Sequence, residues 1–269
     1  MMLSFPPFAG MTRKIILIVV SIFFILLLLR WVAPAVNAEI FILGALTPVM
    51  VVHGAIWQLV TYSFLSGGVL QVAFDMLSLW FIGAYLETIY GTRWVTELYF
   101  VSVIGAALTT VAVSYTHIFH MSPNATTYGA TGGIFGLLSA WAVLMGDQKF
   151  MLFPLPISIK AKYLVAVYIL IALAMVISGP RGFSYLGYLG GALFGYIYVK
   201  QAPRKGFGFA ASERAFSFRN SYYRWKRKRA ARKFEVYMRK HDRNVQFDDQ
   251  GRFIDPDEKK DPNDRRWMN

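Results

Sequence analysis

The sequence predicts an all-α membrane protein: a six-transmembrane-helix bundle over residues 1–200, followed by a basic cytoplasmic tail over residues 201–269. Three observations predict it. Of 269 residues, 56% are hydrophobic and only 16% charged, whereas a soluble domain carries about a quarter charged residues; mean hydropathy is +0.43. The apolar residues gather into runs near the roughly 20 residues that a bilayer-crossing helix needs. The net charge of +13 is lopsided, with nine Lys/Arg against five Asp/Glu in residues 1–200 and nineteen against ten in residues 201–269. The lack of cysteine excludes disulfide scaffolds, thiolate metal sites and cysteine nucleophiles. His53, His117, His120 and His241 show no metal-ligand spacing, so neither a metal nor a cofactor is expected.

The elements follow in order. The first span, Ile15–Ala33, lies just after Arg13 and Lys14. Its apolar run exceeds the roughly 7–15-residue core of a secretory signal, and no A-x-A site follows closely, so it reads as a permanent anchor. Pro34–Gly68 is apolar but interrupted by Pro34, Gly44, Pro48, Gly54, Gly67 and Gly68. With Trp57, Tyr62 and Phe64 it reads as an amphipathic loop half-sunk at the membrane interface. Span two, Val69–Tyr90, ends at Gly91-Thr-Arg93, and span three, Trp94–Tyr115, gives way to the polar loop His117–Tyr128. Span four runs from Gly129 to Gly146, before a loop containing Lys149, Pro154, Pro156, Lys160 and Lys162. Span five, Tyr163–Ser178, stops at Gly179-Pro180-Arg181, and span six, Tyr185–Val199, at Lys200 and Pro203.

With the N-terminus inside, the positive charges of the short connections fall on the cytoplasmic side, leaving only Arg30 and Arg181 outside. Six spans then return the C-terminus to the cytoplasm, the arrangement expected in a bacterial inner membrane. In the tail, Ser212–His241 is helix-compatible and strongly basic over Arg224–Lys233, and Asp248–Asn269 has the composition of a disordered segment. The basic run suits anionic lipid of the inner leaflet. A protein partner is the alternative, and nucleic acid is disfavoured because no recognisable module accompanies the run.

Two glycine series mark helix packing: Gly132 and Gly136 in Gly129-Ala-Thr131-Gly-Gly-Ile-Phe-Gly136, and Gly187, Gly191 and Gly195 on the sixth span, with Gly190 beside them. Small residues four apart let helix backbones approach closely in lipid, so these two helices are expected to pack against each other or a common neighbour. Taken in order with Trp57-Gln-Leu-Val-Thr-Tyr-x-Phe-Leu, Gly67-Gly68 and Leu86-Glu87-x-x-x-Gly91, these segments resemble the rhomboid family of intramembrane serine proteases over about residues 10–200.

The resemblance implies a site and its chemistry. Rhomboids cleave membrane-spanning substrates with a Ser–His dyad. The serine sits in a Gly-x-Ser-Gly turn opening the fourth helix, and the histidine three residues before the first packing glycine of the sixth. A second-helix His and Asn, four apart, help hold the oxyanion, and another His often lies five residues upstream. On the matching positions here stand Thr131, Tyr188, Gln71, Asp75 and Ser66. Each departs from the proteolytic pattern. The Gly129, Gly132, Gly191 and Gly195 positions are retained, as helix packing around the former active site.

The substitutions oppose hydrolysis. Threonine adds a methyl group to a tight turn, and β-branching restricts its rotamers. A threonine nucleophile needs an adjacent base such as the chain's own α-amine, which is about 130 residues away on the other expected side. Tyrosine titrates near pH 10 and is a poor base at neutral pH. An ionised Asp75 places negative charge where a developing oxyanion needs donors. The expectation is a pseudoprotease that binds transmembrane segments of client proteins for scaffolding, retention or regulation. Two alternatives stay open: an endopeptidase with Thr131 as an unconventional nucleophile and His117 or His120 reaching down as base, and a structural subunit of a membrane complex or homo-oligomer. Blander roles also stand. Thr131 suits a helix start, Tyr188 fills apolar space with its hydroxyl partnered, and Asp75, costly within a span, anchors a polar cluster with Thr131, Tyr188 and Gln71.

Overall fold

A backbone surrounded by lipid tails must satisfy its own polar groups, and each of the six apolar runs is helical in the computed structural model. The structure describes residues 7–116, 122–152, 157–178 and 182–201, with residues 220, 222–223, 225–227, 229–230, 246–247 and 253–254 of the tail. The chain divides into two compact units, Met1–Phe207 and Gly208–Asn269.

In the first unit, α1 (Gly10–Val32) precedes three short helices, α2 (Pro34–Gly44), α3 (Pro48–Val52) and α4 (Gln58–Thr61). The second span is α5 (Val69–Ser78) and α6 (Ala84–Tyr90), joined through a π-helical turn at Leu79–Gly83. Then come α7 (Thr92–Ser114), α8 (Thr131–Met145), α9 (Ala161–Ser178) and α10 (Gly182–Gln201). Gly10–Val32, Val69–Tyr90 and Thr92–Ser114 are each long and apolar enough to cross a membrane alone. At 15 residues, α8 spans only about 22 Å at 1.5 Å per residue, short of the roughly 30 Å hydrocarbon core. Most of its residues are buried against protein, so α8 is the inner helix of the bundle.

Three stretches differ from expectation. Pro34–Gly68 is not a loop but a chain of short helices, since Pro34 and Pro48 stand at first helical positions, where proline is preorganised. Its polar groups staple it together. Gln58, fully buried, accepts from Thr47 N–H at 3.0 Å and donates to the Ile42 carbonyl at 3.1 Å. Trp57 donates to the Leu43 carbonyl at 3.0 Å, and Thr61 to that of Gly44 at 2.8 Å. Leu46 and Thr127 exchange two backbone bonds of 2.9 Å, which anchor this region to the approach to α8. The loop after α8 is a hairpin, β1 (Lys149–Leu152) paired antiparallel with β2 (Ile157–Lys160); the alternation Ile157-Ser-Ile-Lys160 is strand-like. In the tail, β3 (Gln246–Phe247), just before the stretch expected to be disordered, pairs antiparallel with β4 (Phe253–Ile254) inside it, with Phe247 in register with Phe253. A two-residue pairing is too short for composition or periodicity to reveal. His117, His120, the Gly179-Pro180-Arg181 stop and most of Ser212–His241 and Asp248–Asn269, Arg224, Arg232 and Lys233 included, lie outside the described residues.

The core is built where α7, α8 and α10 meet. A Cβ on Gly191 would collide with the Gly132 carbonyl, and one on Gly195 would lie 2.6 Å from the Gly136 carbonyl. The two helices therefore touch backbone to backbone. Gly190 and Gly187 receive Thr109 and Thr110 of α7 in the same way; those hydroxyls are bonded back to the Gly105 and Ala106 carbonyls, at 2.8 and 2.9 Å. At the opposite end of the second span, Glu87 caps α1. It accepts from Met11 N–H at 2.8 Å, Thr12 N–H at 3.2 Å and Thr12 Oγ1 at 2.7 Å, placing a carboxylate at the positive end of that helix.

Candidate functional site

The site lies where α8 begins. Gly129, with φ of 124°, takes a backbone conformation that L side chains avoid, and its N–H donates to the Tyr62 carbonyl at 3.0 Å. This turn delivers Thr131 to the first position of α8, with Ala130 as the N-cap residue. Tyr62 is held in turn by its hydroxyl, which donates to the Val103 carbonyl at 2.8 Å.

Asp75 reaches this point from α5. Its residue is 8% exposed, and the Thr131 hydroxyl donates to its carboxylate at 3.2 Å to Oδ1 and 3.4 Å to Oδ2. The Ala130 backbone stands beside the same carboxylate. A helix N-terminus leaves its first N–H groups without partners and carries partial positive charge, and Asp75 supplies the matching negative charge from a neighbouring helix. Gln71, one turn earlier on α5, also converges here: a Cβ on Gly129 would lie 2.6 Å from Gln71 Nε2 and 3.9 Å from Asp75 Oδ2. Gln71 Oε1 accepts from Gly67 N–H at 3.4 Å.

Tyr188 approaches from α10. It stacks on Phe135 with centroids 5.7 Å apart and meets Tyr185 edge-on at 5.4 Å. Its hydroxyl interacts with Thr131, and Asp75 and Tyr128 are within electrostatic reach. The structure thus brings together Thr131, Asp75, Gln71 and Tyr188, while Gly132 and Gly191 set the distance between α8 and α10. Ser66 is not among them. It has no hydrogen bond to the cluster and instead lines a cavity beside α1 and α2.

Tyr128 is the residue that sequence reasoning missed. Its ring occupies the space a Gly67 side chain would take and packs edge-on against Phe41 of α2, centroids 5.7 Å apart. The available signal was an aromatic directly before the Gly129 turn facing a Gly67-Gly68 pair. No group of three or more His, Asp or Glu suited to a metal occurs among the described residues.

Chemically, the cluster holds a hydroxyl, a carboxylate, an amide and a phenol at one helix N-terminus, with no imidazole among its described members. Residues 53–202 match the rhomboid domain family, more than half of the chain. The chain is similar to RHOMBOID-like protein 1 of Arabidopsis thaliana, 38% identical over 36% of this chain and 23% of that protein. Over 56% of this chain and 27% of the relative it is 28% identical to Rhomboid protease GluP of Bacillus subtilis strain 168. Rhomboid protein 1, mitochondrial, of Saccharomyces cerevisiae strain ATCC 204508 / S288c is 29% identical over 48% of this chain and 36% of its own. The matched segments span less than half of each relative's length.

Proposed function

The chain belongs to the rhomboid family of integral membrane proteins, and from that premise we propose that it is a pseudoprotease, holding transmembrane segments of client proteins without hydrolysing them. One observation carries the reading: the Asp75 carboxylate accepts the Thr131 hydroxyl at the head of α8. Acyl transfer needs a base that takes the nucleophile's proton and donors for the oxyanion that then forms. Here the seat of that oxyanion is taken by a built-in anion, which the helix terminus and Thr131 already satisfy. Tyr188 stands at the base position, and a phenol that titrates near 10 accepts a proton poorly at neutral pH. The bundle keeps the shape that receives a helix and lacks the chemistry that cuts it. The same reading places both termini in the cytoplasm of a bacterial inner membrane, with Arg224–Lys233 against anionic lipid.

The Thr131–Asp75 bond also favours a second reading. A hydroxyl 3.2 Å from a carboxylate has the geometry of a nucleophile with its base, and would make the chain an endopeptidase using Thr131. Against it, the negative charge of that carboxylate repels the oxyanion it would help create.

Cleavage of a panel of single-span substrates, with an active rhomboid as positive control, separates the two. The expected result is no product from wild type, Thr131→Ala, Asp75→Asn or Tyr188→Phe, with single-span clients captured by the intact chain. Cleavage lost in Thr131→Ala and Asp75→Asn would establish the endopeptidase instead. A stoichiometric partner in place of exchanging clients would identify a structural subunit.

A further inference from the structure

A cavity of about 420 Å³ opens between the end of α1, the start of α2 and the start of α5, in the size range of small-molecule sites. Its lining is divided by chemistry. Phe23, Leu26 and Phe41 supply an apolar wall; Arg30, Asn37 and Ser66 supply polar groups, with the Gly67–Val69 backbone alongside.

We propose that this cavity seats the phosphate of an anionic phospholipid whose headgroup carries a hydroxyl, with the lipid's apolar part against Phe23, Leu26 and Phe41. Four observations converge on it. Among the described residues, Arg30 has no ion-pair or hydrogen-bond partner, and the ion pairs there join Asp147 to Lys160 and Lys162 instead; a guanidinium is the side chain best shaped for a phosphodiester. Ser66 is 5% exposed and its hydroxyl has no partner, a state that buried polar groups rarely keep without a ligand or water. The second span begins here with Gly68 as an N-cap that has no side-chain cap, and its first helical bond runs from Val72 N–H to the Gly68 carbonyl. The preceding N–H groups, beginning at Val69, are therefore left for an anion. Finally, Asn37 donates its amide N–H to the Leu26 carbonyl at 2.7 Å, which leaves its carbonyl oxygen as an acceptor for a headgroup hydroxyl.

A lone phosphate satisfies the polar wall and leaves the apolar one bare; a phospholipid satisfies both. The site is distinct from the Thr131–Asp75 cluster yet linked to it, because Gly67 donates to Gln71 at 3.4 Å. Native mass spectrometry of the full chain from mixed micelles tests the proposal, using phosphatidylglycerol, phosphatidylcholine, and inorganic phosphate as the free-anion probe. Phosphatidylglycerol is expected as one retained lipid per chain, in preference to phosphatidylcholine. Arg30→Gln should lower that retention about tenfold and Ser66→Ala roughly threefold. Arg93→Gln, at the start of α7 away from the cavity, should leave it unchanged. Adducts on the basic tail persist in all variants, so the loss of one lipid reports the cavity. Arg30→Lys, which keeps the charge without the fork, should retain an intermediate amount and provides the test should Arg30→Gln fail to fold. Undiminished retention in the Arg30 and Ser66 variants would overturn the proposal, as would equal retention of both lipids or saturable phosphate binding without a retained lipid.

Discussion

Two edges of the same bundle are packed by opposite means. Where α7, α8 and α10 meet, side chains are removed from the interface: Gly132, Gly136, Gly191 and Gly195 let backbones touch, and threonine hydroxyls of α7 fill the remaining space. Where α1 meets α2 and α5, the side chains are large and the fit is incomplete. Cavities of about 420 and 390 Å³ remain, the second lined by Phe8, Ile16, Ala73, Met76, Leu77 and Trp80. In lipid there is no hydrophobic force between apolar helices, so association depends on close contact and interhelical polar bonds. The first edge has the contact. The second relies on polar staples, such as Asn37 of α2 on the Leu26 carbonyl of α1, helped by the Glu87 cap that ties the neighbouring α6 to the start of α1.

The sharpest way to break this comparison is to place the same kind of bulk at both edges. Gly191→Val drives a side chain into the Gly132 backbone, and should destabilise the bundle by about 3 kcal/mol or prevent its accumulation. Ala73→Leu, beside the second cavity, should change stability by less than about 0.5 kcal/mol. Unfolding midpoints in detergent read both; equal losses would mean that the two edges are packed alike.

Polar staples come next in size. Asp75→Ala leaves Thr131 and the start of α8 without their acceptor and should cost about 1–2 kcal/mol; an unchanged midpoint would remove the structural role of the cluster. Glu87→Ala removes three bonds from the first turn of α1. It should cost about 1 kcal/mol, with faster hydrogen exchange confined to Met11, Thr12 and their neighbours. Exchange that accelerates throughout the bundle would show that α1 is more than an edge.

The smallest effect lies beyond both edges. Asp147 accepts from Lys162 at 2.8 Å and Lys160 at 3.2 Å, and these bonds hold its carboxyl below the usual carboxylate range. Because the folded pKa is the lower one, the contribution is complete above the ordinary carboxylate pKa of about 3.9 and is lost as pH falls through the depressed value. The midpoint difference between wild type and Asp147→Asn should therefore be small and constant from pH 5 to 8, about where the carboxylate is fully ionised in both states, and vanish in stronger acid. A difference that grows on acidification would contradict this sign.

Much of the architecture was legible in the residues themselves. A long apolar run has one economical outcome in lipid, a helix, and all six expected spans are helical near the expected bounds. Short apolar stretches such as Pro34–Gly68 were ambiguous, because helix and loop share a composition there and the decision rests on partners far away, such as Thr127 for Leu46. The candidate site was legible only through resemblance. Thr131, Asp75, Gln71 and Tyr188 stand at positions that a motif can number, but their convergence depends on a left-handed glycine at position 129 and on two helices in backbone contact. Ser66 shows the limit of that method, since the resemblance numbers it on the oxyanion side and the structure has it line another cavity.

By itself, the sequence determined the membrane-protein class, the six apolar runs that become helices and the basic composition of residues 201–269, because composition and residue identity are local properties. Tertiary structure alone decided that Asp75 occupies the head of α8, that Glu87 caps α1 and that Arg30 and Ser66 share a cavity. The physical reason is range. Helix formation in lipid is settled within one segment, whereas the partner of a buried polar group lies on another segment, and only packing brings the two within hydrogen-bond distance.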